Sequence, residues 1–520
     1  MAGLTLLLLL AAATVVLAPL AGRLNVPYPV MMLMFGLAMA FVPRLAVPAV
    51  NPELILPLVL PPLLFAAARR TSWRQFLDNR RAIALLAIAL VGVTAFAVGA
   101  VLHALVPGLP LIAAVALGAA VAPPDPVAAT AVAQKLRLPR RLRTILEGEG
   151  LSNDATSLVL YEVAVASTMA GAFAPWHAGG TLGAAILIGV LVGLVIAVVT
   201  RWLLRRLPPH PAGSALVLVM PFAAYVAADA AHGSGVLAVV TIALALSRYS
   251  DQESSETRLM SGTTWEIIEL LVTGAAFAFV GLELRAVAGQ VSGSVATLVE
   301  QALLITAVVV VVRFVWIFTV SGLDEMLMRR KRDIAEPVGW REMTVASWAG
   351  MRGVVTLAAV LALPPDFPER ERLIFIAFVV IIGTMLVQGL TLPLLVRVLG
   401  VSASGDEEAA EEQELLRRGR EAGLRRLDDL RFRGGVDSRD IDEARENADR
   451  MWHSLGLTAQ DEDGRGTVDH HDAETLNALK EELLEAARAA VVDARSHSGT
   501  DPLLVDRVLR RLDSRGTTGN

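Results

Sequence analysis

Long apolar runs, separated by short charged or Pro/Gly-rich breaks, fill the first 400 residues of the chain. Each run has close to the roughly 20 residues that an α-helix needs to cross a hydrocarbon core about 30 Å thick. Thirteen runs can be delimited, at residues 3–22, 26–43, 53–68, 82–105, 111–133, 145–173, 181–204, 214–230, 234–247, 264–284, 297–320, 342–363 and 372–396. Because a backbone in lipid must satisfy its own hydrogen bonds, the sequence predicts an all-α polytopic membrane protein of about 13 transmembrane helices.

The composition excludes several classes of protein. Of the 520 residues, 54% are hydrophobic and only 19% are charged, against about 25% charged in a soluble domain. The absence of cysteine excludes disulfides, thiolate metal sites, iron–sulfur clusters and thiol nucleophiles. The eight histidines show no metal-ligand spacing, and no basic domain points to a nucleic-acid partner. We therefore expect no cofactor and no enzyme of these types.

The distribution of basic residues predicts the orientation in the bilayer. The first run has no Lys or Arg before its leucines, so it reads as a retained first span with its N-terminus outside. Loops on the predicted cytoplasmic side then hold 21 lysines and arginines, against four on the external side. An odd number of spans and a cytoplasmic C-terminus follow. The cysteine-free, Leu/Ala/Arg-rich composition is compatible with a bacterial inner membrane.

A change of charge near residue 400 predicts two domains. Residues 1–400 hold 28 Lys and Arg against 23 Asp and Glu, a net charge of +5, whereas residues 401–520 hold 18 against 28, a net charge of −10. We predict a transmembrane domain at 1–400 and a cytoplasmic helical tail at 401–520. The tail begins with an acidic linker at 405–414, and apolar spacing of three and four residues predicts helices at 414–433, 439–455, 473–497 and 501–512.

Ionisable residues inside the predicted spans are few, and in hydrocarbon each must face a cavity or a partner. Asp125 lies midway along the fifth span, in Val-Ala-Pro-Pro-Asp-Pro at 121–126. Proline removes an amide donor and blocks the preceding turn, so three prolines predict an interrupted helix. Interrupted helices at mid-bilayer depth mark transporter binding sites. An incidental aspartate at a proline kink is the alternative, but an unpaired carboxylate there would be costly.

The sixth span carries two polar faces. Glu149 and Asn153 are four residues apart and share one face, while Asp154 shares its face with Gly150, which leaves space beside the carboxylate. Arg313, in the most apolar stretch of the eleventh span, needs a buried anion, and Glu149 is the natural partner. Snorkelling to an interface is the alternative for Arg313, and its mid-span position argues against it.

A second interrupted helix is predicted in the twelfth span, where Arg352 lies between glycines in Ala-Gly-Met-Arg-Gly at 349–353. Asp229 is a candidate partner for Arg352, although the spacing does not settle the pairing.

These residues resemble the NhaP/NHE-type sodium/proton antiporters, cation:proton antiporter family 1, over roughly residues 1–400. The resemblance rests on Asp125 in its interrupted span, on Glu-Gly-Leu-Ser-Asn-Asp at 149–154, on Arg313 followed by Phe-Val-Trp, and on Gly-Met-Arg-Gly at 350–353. It implies two inverted six-helix repeats joined by span seven, with spans five and twelve as the crossed, interrupted pair. It also implies a dimerisation domain, a mobile core domain, a homodimer and a role in pH homeostasis.

By this resemblance, Asp125 and Asp154 form the Na⁺ and proton site, Asn153 supports it, and Glu149 with Arg313 holds the core together. Two positions depart from the family pattern. Ala66 follows Pro-Pro-Leu-Leu-Phe at 61–65, where the family often has glutamate, and Gly150 replaces the serine of the Glu-Ser pair. A hydroxyl ligand is therefore absent at 150, and both changes bear on which cation is transported.

The mechanism that these residues predict is competition between a cation and a proton for one carboxylate. Asn153 cannot titrate, and the charges of Glu149 and Arg313 cancel if they pair, so only Asp154 exchanges its proton for a cation. One-for-one, electroneutral Na⁺/H⁺ exchange follows, with K⁺/H⁺ exchange as an alternative. An intramembrane aspartyl protease is less favoured because nothing resembles its Gly-x-Gly-Asp motif, and an ion channel would show neither flux saturation nor proton counterflow.

Overall fold

The computed structural model describes residues 2–24, 26–42, 52–70, 80–125, 136, 138–171, 175–206, 211–247, 255–290, 294–328, 339–401, 405–433, 437–455, 473–495 and 502–516. Within these residues the chain forms helices joined by turns and short irregular segments, and no strand occurs. Two compact units are present, the first within residues 1–402 and the second built mainly from Ala403–Asn520.

The helices within residues 1–402 follow the apolar runs of the sequence. They are α1 (Ala2–Leu24), α2 (Tyr28–Ala40), α3 (Pro52–Arg70), α4 (Arg80–Leu105), α5 (Leu111–Val121), α6 (Arg140–Ala170), α7 (Pro175–Leu204), α8 (Pro211–Ala230), α9 (Gly235–Ser247), α10 (Ser255–Leu282), α11 (Leu284–Gln290), α12 (Val295–Met328), α13 (Trp340–Trp348), α14 (Val354–Leu361) and α15 (Arg370–Leu399). Each of the thirteen predicted spans overlaps at least one of these helices. The all-helical polytopic class is therefore confirmed.

Several of these helices have the dimensions of membrane spans. Six described helices are long and apolar enough to cross a bilayer, and five shorter apolar helices of 10–17 residues accompany them. Small residues bring neighbouring helices together: a Cβ on Gly118 of α5 would overlap the backbone of Ala95 in α4. Such close backbone approach is how helices associate where lipid removes the hydrophobic drive between them.

Two chain interruptions lie inside predicted spans. Helix α5 stops at Val121 and is followed by Pro123 and Pro124, which cannot donate the amide bonds of a further turn. Helices α13 and α14 are separated by the non-helical residues 349–353. The second half of the predicted fifth span, from Pro126 onward, lies outside the described residues.

Helix α4 contains a π-helical segment, Leu85–Leu90. Its wider turns pair each amide with a carbonyl five residues earlier rather than four. The indole Nε1 of Trp316, on α12, donates to the Leu85 carbonyl at 3.2 Å. This bond fastens α4 to α12 one turn beyond Arg313.

The second unit consists of α16 (Gly405–Arg433), α17 (Ser438–Ser454), α18 (Ala473–Arg495) and α19 (Pro502–Gly516) around an apolar core that contains Trp452. The predicted acidic linker at 405–414 is wrong, because α16 already begins at Gly405. Glu414 pairs with Arg417 at 2.8 Å and with Arg418 at 2.9 Å, one helical turn later. These ion pairs stabilise the helix, whereas the acidic composition of the segment had predicted a linker.

Candidate ion-binding site

The two interruptions are in direct contact with each other. The backbone N–H of Asp125 donates to the carbonyl of Met351 at 2.6 Å. A Cβ on Gly353 would overlap the Asp125 carboxylate, so this carboxylate lies against a position where only glycine fits. The irregular backbone at 122–125 is therefore partly satisfied by the irregular backbone at 349–353, which is the condition for broken helices inside a membrane.

The Asp125 carboxylate occupies the N-terminal end of a half-helix. Helix α14 begins at Val354, and Gly353 is its N-cap residue. The peptide dipoles of a helix place partial positive charge at this end, so it favours an anion. Asp125 is 8% exposed, and this electrostatic partner compensates for its removal from water.

Arg352 places a positive charge at the C-terminal end of the other half-helix, α5. Its guanidinium is buried and donates to the carbonyls of Val121 at 2.9 Å and Ala122 at 3.2 Å, and it also contacts the Gly350 carbonyl. These first two carbonyls end α5, where a cation complements the helix dipole. The candidate pairing with Asp229 is wrong: the Arg352 guanidinium is occupied by carbonyls, and Asp229 is exposed on α8.

Arg313 and Glu149 form a buried bidentate ion pair. Arg313 donates from Nη1 to Oε1 of Glu149 at 2.5 Å and from Nη2 to Oε2 at 2.8 Å, and both side chains are 1% exposed. Arg313 also donates to the carbonyl of Ala346, near the end of α13, at 3.2 and 3.1 Å. Burial at this level excludes snorkelling. Since such a pair is weak evidence for net stability, its effect is to fix α6, α12 and α13 in one geometry.

Asn153 and Asp154 bring side-chain oxygens to the first interruption. Asn153 is fully buried and donates from Nδ2 to the Pro124 carbonyl at 3.2 Å, which fixes the direction of its amide. Its Oδ1 has no hydrogen-bond partner among the described residues, and neither does Oδ2 of Asp154, which is 2% exposed. The Asp154 carboxylate is also close enough to Asp125 for the two charges to repel.

Sequence reasoning missed two further polar residues of α6. Ser157 donates to the Ala119 carbonyl of α5 at 2.8 Å, and Tyr161 donates to the Ala359 carbonyl of α14 at 2.6 Å. They continue the four-residue spacing of Glu149 and Asn153 along one face of α6. Extending that spacing would have found them. The stripe ties α6 to both half-helices.

The departure at position 66 lies in a separate apolar cluster. Ala66 is buried with Phe65, whose ring lies 4.7 Å from that of Trp265, and the same cluster includes Ala155 of α6. The other departure, Gly150, is buried on α6.

The donor atoms of the site are all oxygens. They comprise the carboxylates of Asp125 and Asp154 and the amide oxygen of Asn153, which is the ligand chemistry that hard cations prefer. Within the described ranges, no group of three or more His, Asp or Glu side chains gathers as a transition-metal site would require. The arrangement fits a small monovalent cation as a transported substrate.

Comparison with known proteins gives the family. The model of the sodium/hydrogen exchanger transmembrane family matches residues 9–398. An uncharacterized Na⁺/H⁺ exchanger of Mycobacterium tuberculosis is 36% identical over 406 residues, which cover 76% of this chain and 74% of that protein. A sodium, potassium, lithium and rubidium/H⁺ antiporter of Bacillus subtilis is 31% identical over 389 residues, covering 71% of this chain and 58% of the relative.

A solved structure shows the same fold. The sodium proton antiporter MjNhaP1 from Methanocaldococcus jannaschii at pH 8 superimposes with a TM-score of 0.56 and 17% identity. The match covers 77% of this chain and 98% of the MjNhaP1 chain. This likeness supports the polytopic antiporter architecture. The chain belongs to the sodium/hydrogen exchanger family and is a multi-pass membrane transporter that exchanges a monovalent cation for a proton, rather than an enzyme.

Proposed function

We propose that the protein carries out electroneutral Na⁺/H⁺ exchange in which the cation and the proton compete for Asp154. The observation that carries this proposal is that Oδ2 of Asp154 and Oδ1 of Asn153 are both buried and that, among the described residues, neither has a hydrogen-bond partner. A buried acceptor oxygen without a donor is costly. Either a proton on the carboxylate or a cation coordinated by these oxygens removes that cost, so the site favours holding one of the two.

Asp125 has a different role in this mechanism. Its carboxylate faces the N-terminus of α14, and its backbone is bonded to Met351. The helix end stabilises the ionised form, so Asp125 remains a fixed negative charge that attracts the cation. With the Asp125 charge balanced by the helix end, an ionised and empty Asp154 would add one uncompensated charge, and the site would cross the membrane poorly. Only a proton-loaded or cation-loaded Asp154 permits reorientation, and obligatory exchange follows.

Glu149, Arg313 and Arg352 support the site without binding the transported ions. The Glu149–Arg313 pair cancels its own charge, and Arg352 holds the end of α5 through carbonyl groups. We assign these residues to the architecture of the moving domain. The net charge of that domain therefore changes only through Asp154.

K⁺/H⁺ exchange is the second candidate. The Bacillus relative is named for sodium, potassium, lithium and rubidium, and Gly150 leaves this chain without a hydroxyl at that position. Fewer protein ligands leave more of the coordination shell to water and carbonyls, which discriminates less between cations of different size.

We further propose a homodimer in the cell membrane, with residues 1–400 as the transport domain and residues 401–520 as a cytoplasmic tail. The family resemblance supports the dimer. The excess of basic residues in alternate loops supports an external N-terminus and a cytoplasmic C-terminus.

Proton flux in proteoliposomes tests the function. The purified protein is reconstituted with a pH-sensitive dye inside, and Na⁺, Li⁺ and K⁺ gradients are imposed in turn. We expect saturable proton movement that reverses with the cation gradient and is largest for Na⁺. A larger response to K⁺ would establish the second candidate. Flux that does not saturate, or that occurs without proton counterflow, would exclude an antiporter.

A further inference from the structure

Gln388 is a buried carboxamide that the exchange mechanism does not use. It lies on α15, is 2% exposed, and neither its Oε1 nor its Nε2 has a hydrogen-bond partner among the described residues. A primary amide carries two donors and an acceptor that it seldom leaves unpaired when buried. A residue of this kind in a predicted membrane span is a candidate for function.

The neighbours of Gln388 on its own helix face the second interruption. One turn earlier, Thr384 accepts the backbone N–H of Arg352 at 3.1 Å. Nearly one turn later, Thr391 accepts the indole N–H of Trp348, the last residue of α13, at 2.8 Å. Residues 384, 388 and 391 share one helix face. Gln388 therefore lies between two side chains that each bind a group at or beside the break at 349–353.

The packing next to Gln388 also places this part of α15 against the break at 349–353. A Cβ on Gly389 would lie 3.3 Å from Sδ of Met351, so α15 runs close to Met351 at this level. The carbonyl of Met351 accepts the Asp125 N–H at 2.6 Å. Met351 is therefore the link between α15 on one side and the candidate ion site on the other.

We propose that Gln388 is a positioning residue for cation exchange. Its carboxamide hydrogen-bonds the irregular backbone at 349–353 through an ordered water, and this fixes the Met351 carbonyl that receives the Asp125 N–H. Water in such places is held by several polar partners, which a carboxamide and an unwound backbone together supply. The assignment rests on the proposed function, because it acts through the placement of the Asp125 carboxylate.

Replacing the amide by an apolar side chain of similar length tests this role. Gln388→Met removes both polar atoms and keeps the length of the side chain, and burial of the apolar side chain offsets the loss of a water-mediated hydrogen bond. We expect thermal stability in detergent to be retained. We expect the KM for Na⁺ to rise about fivefold, the equivalent of one lost hydrogen bond, with little change in maximal rate. Weaker cation binding against the same proton competition also moves the activity profile to higher pH.

Two further variants make the test decisive. Gln388→Asn keeps an amide and should recover part of the KM, whereas Gln301→Leu removes a half-buried amide on α12 and should leave the KM and the pH profile at their wild-type values. A Gln388→Met protein with wild-type KM and pH profile overturns the proposal. So does a variant whose only defect is thermal stability. Wild-type protein without any exchange would instead overturn the proposed function, which keeps the two failures distinct.

Discussion

The carboxylate of Asp125 lies against Gly353, the N-cap residue of α14, and the backbone N–H of Asp125 donates to the carbonyl of Met351. The Asp125 anion lies at the start of α14, and the Arg352 cation lies at the end of α5. Together they balance the dipoles of the two half-helices. The two interruptions therefore form one electrostatic unit. Asp154 approaches this unit from a third helix, α6.

Loss of the Asp154 carboxylate should abolish exchange. Asp154→Asn keeps the side-chain volume but can neither release a proton nor balance the charge of a cation, so we expect cation-dependent proton flux to fall to the level of empty liposomes. Asp125→Asn should act similarly, with residual binding through carbonyls. Asp366→Asn, an exposed loop carboxylate, is the matched control and should transport normally. Substantial flux through folded Asp154→Asn would contradict the site assignment.

Removing Arg313 should destabilise the protein. Arg313→Ala leaves Glu149 charged and unpaired at a buried position, at a cost of about 3–5 kcal/mol. We expect a clear drop in thermal stability in detergent, and Arg313→Ala with Glu149→Ala should recover part of it. The exposed Arg341→Ala is the control for loss of a basic residue. A double mutant as unstable as the sum of the two single mutants would show that the pair is not coupled.

A methyl group at position 353 should separate the two interruptions. The Cβ of Gly353→Ala would overlap the Asp125 carboxylate, so the break at 349–353 must move away and the Asp125–Met351 bond must lengthen. We expect a loss of exchange of about a hundredfold, the scale of effect that a displacement of 1 Å has at a reacting site. Gly322→Ala, on α12, meets no atom within 4 Å and should exchange at the wild-type rate.

Exchange should not respond to membrane potential. One proton leaves Asp154 as one monovalent cation binds, and Asn153 adds no titrating group, so the charge of the moving domain is constant. In proteoliposomes, a potential set by K⁺ and valinomycin should leave the rate and the equilibrium of Na⁺/H⁺ exchange unchanged. Accumulation of Na⁺ driven by that potential would reveal a second titrating group in the cycle.

The tail should lose a stabilising contribution in acid. Hydrogen bonds from Arg417, and then Arg418, lower the pKa of Glu414 to about 2 from 4.5. Because the folded pKa is the lower one, this contribution is complete above pH 4.5 and disappears as the pH falls towards 2. The Glu414 side chain is 39% exposed, so solvent screening limits the contribution to at most about 1 kcal/mol.

Hydrogen exchange in the full chain measures this contribution. At pH 6, Glu414→Gln should speed amide exchange in α16 by up to about fivefold, the equivalent of 1 kcal/mol, and the difference from wild type should shrink as the pH is lowered below 4.5. Glu446→Gln, an exposed glutamate on α17, should show no such difference. A difference at Glu414 that is independent of pH would rule out the ion pairs as its cause.

The sequence predicted those parts of the site that are formed by residue types that are rare inside apolar runs. Few charges occur inside the apolar runs, so a mid-span arginine such as Arg313 had one natural partner in Glu149, and the prolines around Asp125 and the glycines around Arg352 located both interruptions. The roles of these residues in transport stay predictions. The helices were predictable because hydrocarbon imposes both their length and their apolar character.

The remaining features depend on backbone groups that a sequence does not display. Asp229 was the candidate partner of Arg352 because a sequence identifies side-chain carboxylates. It does not show which backbone carbonyls are left free at the end of a broken helix. The stripe through Ser157 and Tyr161 was missed for a similar reason, since their acceptors are main-chain oxygens of α5 and α14. Polar side chains in a membrane find backbone partners wherever a helix is interrupted.

The π-helical segment of α4 has a consequence for the register of the first unit. One extra residue is accommodated at Leu85–Leu90, so every side chain from Val91 to Leu105 is turned by about 100° relative to an uninterrupted α-helix. Small residues such as Ala95 and Gly99 thereby meet α5, while the bond from Trp316 to Leu85 holds the earlier part of α4 against α12. Deleting a single residue in this turn would rotate one half of the helix against the other and present bulkier side chains to α5.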